Sequence, residues 1–181
     1  ERAQALALKS YNEGYRSRPL VTVLANLHYF QAESEDDYRV ALNYYESLGS
    51  NVRDPVVLYN KAQTLRELGE IERGREVLEK GEKYLEAYSD QGKLLSRYRV
   101  AKVQLSIAEE KFREALSFIE TVPVKQRSLQ LRTLYARCLI AVGDRNRARS
   151  ELKEIVQQKG SPQEAEVLLR DLTSTSSNSR S

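Results

Sequence analysis

Four prolines and eight glycines are few for 181 residues. Turn-forming positions are therefore sparse, and the segments between them are long. Strand-rich folds of this length need more turn residues, so the scarcity points to helices. A single cysteine, Cys138, excludes an internal disulfide and is compatible with a reducing compartment. A single histidine, His28, leaves no imidazole pair for a metal. No apolar run approaches the ~20 residues of a membrane-spanning helix, which argues against direct membrane insertion. No Gly-rich phosphate loop, G-x-S-x-G or H-E-x-x-H occurs. These absences argue for a protein that is not an enzyme and carries no cofactor or metal. Lys and Arg number 29 against 26 Asp and Glu, a balance of +3. Nucleic-acid binders usually show a clustered basic face, so no nucleic acid is expected as a partner.

What is present is a repeat. Small residues recur at Ala7, Ala41, Gly74, Ala115 and Ala148, in steps of 34, 33, 41 and 33 residues. Four and seven residues beyond each lies another member of the same helical stripe. Tyr45 and Leu48 follow Ala41, and Leu152 and Ile155 follow Ala148. Upstream of each later small residue runs a second amphipathic segment. In "DPVVLYNKAQTLRELG", Leu58, Ala62, Leu65 and Leu68 form its stripe. Asp54 suits the N-cap, Pro55 the first helical position and Gly69 the left-handed stop. "LQLRTLYARCLIAVGDRNRA" repeats the plan with Tyr135, Ala136, Leu139, Val142 and Gly143. Neither helix of such a unit buries its face alone, so stacked neighbours supply the core.

These residues resemble the tetratricopeptide repeat family over residues 1–172. The second unit carries the pattern in Leu58, Ala62, Leu65, Gly74, Leu78 and Gly81. There are departures. Lys61 stands where the family prefers Leu, Arg145 replaces a turn aromatic, and the turn "AEEKF" (108–112) has no glycine. The resemblance implies an all-α fold, a right-handed superhelical solenoid of helix-turn-helix repeats. Residues 1–16 read as the second helix of a unit whose first helix is missing, so the chain reads as a segment of a longer solenoid. Its exposed N-terminal face is then a candidate for self-association. Four units follow, near 20–52, 54–88, 91–123 and 127–159, with a capping helix over 161–172 and a disordered Ser/Thr tail over 173–181. The 41-residue step predicts two long helices, about 18 residues each, meeting near Ser89–Asp90.

The chemistry-bearing residues have plainer readings. His28 falls mid-helix as a structural histidine, and Cys138 reads as a small buried hydrophobe. "ESEDD" (33–37) reads as a solvated turn that caps the next helix. Most tyrosines, among them Tyr11, Tyr38, Tyr45, Tyr98 and Tyr135, fall at core positions. Tyr29 and Tyr59 fall on the opposite side of their first helices, the side that lines the concave groove in this family.

That side also carries Thr22, Ala25, Asn26, Val56, Asn60, Gln63, Arg66, Ser96, Arg99, Val100, Val103, Gln130, Thr133, Leu134 and Arg137. Amides pair with backbone, aromatics pack and arginines take carboxylates. Asn26, Tyr29, Tyr59, Asn60, Gln63, Arg66, Arg99 and Arg137 are the candidate binding residues. Asn26 and Asn60 hold equivalent positions as backbone-gripping carboxamides, and Val100 and Leu134 interrupt the column. The expected function is a non-catalytic interaction scaffold that holds a peptide or partner protein surface. A cytoplasmic setting is favoured. The alternative is a periplasmic repeat segment of an exopolysaccharide or pilus export machine.

Overall fold

A computed structural model of the chain describes residues 2–88 and 90–177. Among them are ten α-helices and no strand. The helices are α1 (Arg2–Asn12), α2 (Arg18–Gln31), α3 (Glu35–Ser47), α4 (Pro55–Glu67) and α5 (Ile71–Glu82). They continue as α6 (Gln91–Ala108), α7 (Phe112–Thr121), α8 (Leu129–Ala141), α9 (Arg145–Val156) and α10 (Gln163–Ser177). No helix of the described residues is long and apolar enough to cross a membrane. The chain divides into two compact units, one ending at Tyr98 and the other beginning at Arg99.

Local chemistry sets the helix ends. The Ser34 hydroxyl accepts from Asp37 N, and the Asp37 carboxylate accepts from Ser34 N at 3.0 Å, a reciprocal cap for α3. The Ser34 hydroxyl also donates to Asp37 Oδ2 at 2.7 Å; that bond first, then those from Glu33 N and Ser34 N, hold the Asp37 carboxyl below its ordinary range. Asp54 Oδ1 accepts from Val56 N at 2.8 Å and starts α4, with Pro55 as its first residue. Gly69 ends that hairpin arm at φ +75°. There Gly69 N donates to Arg66 O and Glu70 N to Leu65 O. The turn after α8 has the same pair of bonds, from Gly143 N and Asp144 N, with Gly143 at φ +91°.

The glycine-free turn after α6 keeps this geometry. Glu110 N donates to Ile107 O and Lys111 N to Ser106 O, and Glu110 itself takes φ +58°. A side chain thus occupies the left-handed position that glycine fills elsewhere.

Adjacent helices pack in sequence. In the first unit α2 lies on α3, α3 on α4, and α4 on α5, with α1 against α2. Its core joins Val21, Ala25, Ala41, Tyr45, Leu48 and Val57. In the second unit α7 packs on α8, α8 on α9, and α9 on α10. Its core runs from Val100 and Val103 through Ile119, Leu131 and Cys138 to Leu152 and Leu172. The small residues Ala41, Ala115 and Ala148 are fully buried, as close helix crossings require.

Two expectations are corrected. The long helix predicted before Ser89 stops at Glu82, and a 3-10 turn, Leu85–Ala87, follows. Gly81, one residue before the end, sits at a close crossing. A Cβ there would lie 2.0 Å from the Tyr98 hydroxyl, which donates to Pro55 O at 2.6 Å. The chain turns just beyond this crossing, and Leu85 folds into the core. Only α6 has the predicted 18 residues, and Ser89 lies outside the described residues. The second correction is at the C-terminus, where α10 continues past Leu172 to Ser177. The Thr173 and Ser174 hydroxyls donate to Arg170 O and Asp171 O, so these polar residues bond back onto the helix. Residues 178–181, the rest of the predicted tail, lie outside the described residues.

Candidate functional site

The polar face of the first unit is built on α2 and α4, which touch directly. Asn26 and Asn60, 34 residues apart, meet there: Asn60 Nδ2 donates to Asn26 Oδ1 at 3.0 Å. The Tyr45 hydroxyl, from α3, donates to the same oxygen at 2.8 Å. Asn26 Oδ1 is thereby doubly engaged, and Nδ2 is the limb of that carboxamide left for other partners. Asn60 is 1% exposed, and its Oδ1 has no hydrogen-bond partner among the described residues. A buried carbonyl without a donor is uncommon in folded proteins.

Tyrosines frame this pair. The Tyr29 ring lies 6.5 Å from the Tyr38 ring and 5.1 Å from Phe30, which is 66% exposed. Burial, and then the neighbouring Tyr59, push the Tyr29 phenol up to about 12. Tyr59 is itself buried, and its hydroxyl accepts from Gln63 Nε2 at 3.1 Å. Burial raises the Tyr45 and Tyr98 phenols above their ordinary range as well.

One guanidinium group stands over these rings, and a second acts on Tyr29 through its charge. Arg97, from α6, lies 4.7 Å from the Tyr59 ring centroid. Arg66, from α4, pairs with Glu67, and its Nε is buried without a hydrogen-bond partner among the described residues. The strip can therefore offer a donor at Asn26, an aromatic wall and positive charge, above a buried Asn60.

Tyr59, Asn60 and Gln63 were expected on an open groove, and the structure makes them its buried floor. Ala25 is also fully buried. Asn26, Tyr29 and Arg66 are half-buried at the rim. Arg97 was missed, because the expected α6 face ran through Ser96, Arg99, Val100 and Val103. Its one sequence signal is its place directly before the core tyrosine Tyr98.

The second unit treats the corresponding positions differently. Val100, Val103, Thr133 and Leu134 are buried, and Val100, Val103 and Leu134 belong to its apolar core. Arg99 donates to Gln126 Oε1 at 3.2 Å, and Arg137 lies 3.5 Å from Glu164. Both arginines belong to the second unit and the Asn26–Asn60 pair to the first.

The remaining candidates are structural in their surroundings. His28 stacks on Tyr44 at 5.2 Å. Cys138 is fully buried, and burial pushes its thiol up to about 11, away from the nucleophilic thiolate. Among the described residues no group of three or more His, Cys, Asp and Glu could hold a metal ion. At the N-terminal end, Leu6 of α1 is 59% exposed.

Among the described residues, fold and site together define two all-helical units of sequentially packed helices, the first carrying a polar, aromatic-lined strip on α2 and α4. No protein-family model matches the sequence, and no match is found among the curated proteins.

Proposed function

We propose that this chain is a non-catalytic protein-interaction module, built from tetratricopeptide-like repeats, whose α2–α4 strip holds an extended peptide. The right-handed superhelical stacking implied by that resemblance is part of the same proposal. The repeated left-handed turns at Gly69, Glu110 and Gly143 support the repeat reading, since they recur in the 41- and 33-residue steps of the small residues.

The observation that carries the binding reading is the Asn26–Asn60 pair. Asn60 Nδ2 and the Tyr45 hydroxyl both hold Asn26 Oδ1, so the donor limb of Asn26 is fixed in place at the rim. An extended peptide backbone presents the complementary carbonyl acceptor at every residue. Arg66 and Arg97 add charge suited to a carboxylate on the bound segment.

Selection of a displayed linear peptide library against the whole chain, followed by calorimetric titration, tests the proposal. Selected peptides should lose about 5-fold in affinity on Asn26→Ala and on Arg66→Gln. Arg66→Gln should change the melt little, whereas Asn26→Ala should also lower it, because it strands the Tyr45 hydroxyl and Asn60 Nδ2. Selected peptides that bind both variants as tightly as the parent place the binding face elsewhere.

A further inference from the structure

A second cleft in the first unit lies apart from the Asn26–Asn60 strip, between the start of α2 and the loop that leads into α4. It has a volume of about 310 Å³. Its floor is aliphatic: Leu48 and Val57 are buried, and Val52 is half-buried. Its rim carries Arg18 and Arg53, both exposed. Among the described residues neither guanidinium is held by an ion pair. The one carboxylate lining the cleft, Asp54, is turned to α4, where its Oδ1 accepts from Val56 N and Val57 N. The Thr22 hydroxyl and the Asn51 carboxamide add neutral donors.

We propose that this cleft binds a carboxylate carried on a short aliphatic body. Guanidinium groups match a carboxylate in a planar, bidentate geometry. Two of them on one rim set a local charge that a neutral ligand leaves uncompensated. The floor of Leu48, Val52 and Val57 selects in the other direction, because a bare inorganic anion would cover it without replacing its water by apolar contact. A ligand that satisfies both surfaces is amphiphilic: an anionic head at Arg18 and Arg53, a branched or short linear tail on the floor. This chemistry comes either as a free short-chain acid or as the C-terminus of a peptide ending in an aliphatic residue. The cleft shares none of its lining residues with the Asn26, Tyr29, Tyr59, Asn60, Gln63 and Arg66 strip.

The test is a titration of the isotope-labelled whole chain, followed by amide chemical shifts. The probes are hexanoate, hexanol, inorganic phosphate, and acetyl-Gly-Leu as the free acid and as the amide. Hexanoate or the peptide acid should shift amides of residues 18–22 and 48–57. Binding should be at least 10-fold weaker for hexanol, phosphate and the peptide amide. Hexanoate alone identifies a free acid as the source, and the peptide acid alone identifies a chain terminus. Arg18→Gln and Arg53→Gln should each weaken binding at least 5-fold while leaving the amide spectrum outside the cleft unchanged. The proposal is overturned if neither acid shifts these residues, if hexanol or phosphate binds as well as hexanoate, or if both variants bind like the parent.

Discussion

The same place in the repeat is filled in opposite ways in the two units. In the first, α2 and α4 carry Asn26, Tyr59, Asn60 and Gln63, joined by side-chain hydrogen bonds. In the second, α6 and α8 carry Val100, Val103 and Leu134, which pack into an apolar core. Apolar residues at this place therefore make a sound core, as the second unit shows. The polar set of the first unit is not demanded by packing. It also leaves a buried carbonyl unpaired, which typically costs ~1–3 kcal/mol. A feature that is costly and structurally dispensable is where a binding role is best sought.

The largest effect expected in the first unit comes from Gly81→Ala. The new methyl would meet the Tyr98 hydroxyl at 2.0 Å and Leu58 Cβ at 3.0 Å. The hydroxyl cannot swing away freely, because it is buried and bonded to Pro55 O. A loss of about 2–3 kcal/mol in chemical denaturation is expected. Adding Tyr98→Phe should restore part of it. No recovery in the double variant would mean that the hydroxyl is not the obstacle.

The second unit has its own crossing to overfill. Ala148 is fully buried beside Leu152 and Ile155, and Ala148→Leu should cost ~1–3 kcal/mol in a thermal melt. An unchanged midpoint would dissolve the equivalence between Ala148 and Ala41 on which the comparison rests.

Alkaline pH should act more on the first unit. The Tyr29 phenol is raised from 10.0 to about 12, chiefly by burial. A raised folded value means that the neutral phenol is favoured in the fold. Its stabilising contribution is full below pH 10 and is lost as pH rises towards 12. Tyrosinate absorbance should therefore rise late for Tyr29, as for Tyr45 and Tyr98, and Tyr29→Phe should take one tyrosine out of that late component. A variant with the parent's titration curve would contradict the placement of Tyr29.

A smaller and opposite effect is expected at Glu110, which holds φ +58° where the equivalent turns hold glycine. Glu110→Gly should raise stability by about 0.5–1 kcal/mol, since a left-handed conformation strains any residue with a Cβ. The control is Gly143→Ala, at φ +91°, which should lower stability by a similar amount. If both changes were neutral, the left-handed turns would be incidental to the hairpins.

Much of the hairpin framework was legible because it depends on residues acting locally. Asp54, Pro55, Gly69 and Gly143 announce helix ends within one turn of themselves, and Ser34 with Asp37 does the same. The small residues marked the crossings because a buried alanine has few alternatives in an otherwise large-residue stripe. What was not legible depends on distant partners. The close crossing near the end of α5 is made with Tyr98, 17 residues beyond Gly81 and fixed to the carbonyl of Pro55. Asn60 and Gln63 looked solvent-facing because polar residues usually are. Their burial follows from partners on α2 and within α4 that no single helix pattern reveals. Glu110 was hidden because its residue type does not favour the conformation it adopts. For the candidate strip, the residues on α2 and α4 were readable from their spacing, whereas Arg97 was not, because it falls one residue off the expected face of α6.

Asn60→Leu tests most directly whether the polar strip serves binding, because it gives the first unit the side chain found at Leu134 in the second. The change removes the unpaired Oδ1 and leaves Asn26 Oδ1 its bond from Tyr45. Chemical denaturation and titration of a selected peptide should be measured on the same protein. A strip kept for peptide binding predicts stability within about 1 kcal/mol of the parent, or above it, with affinity reduced at least 10-fold. Stability lower by more than about 2 kcal/mol with unchanged affinity would show that Asn60 is a structural residue and that the strip does not bind the peptide.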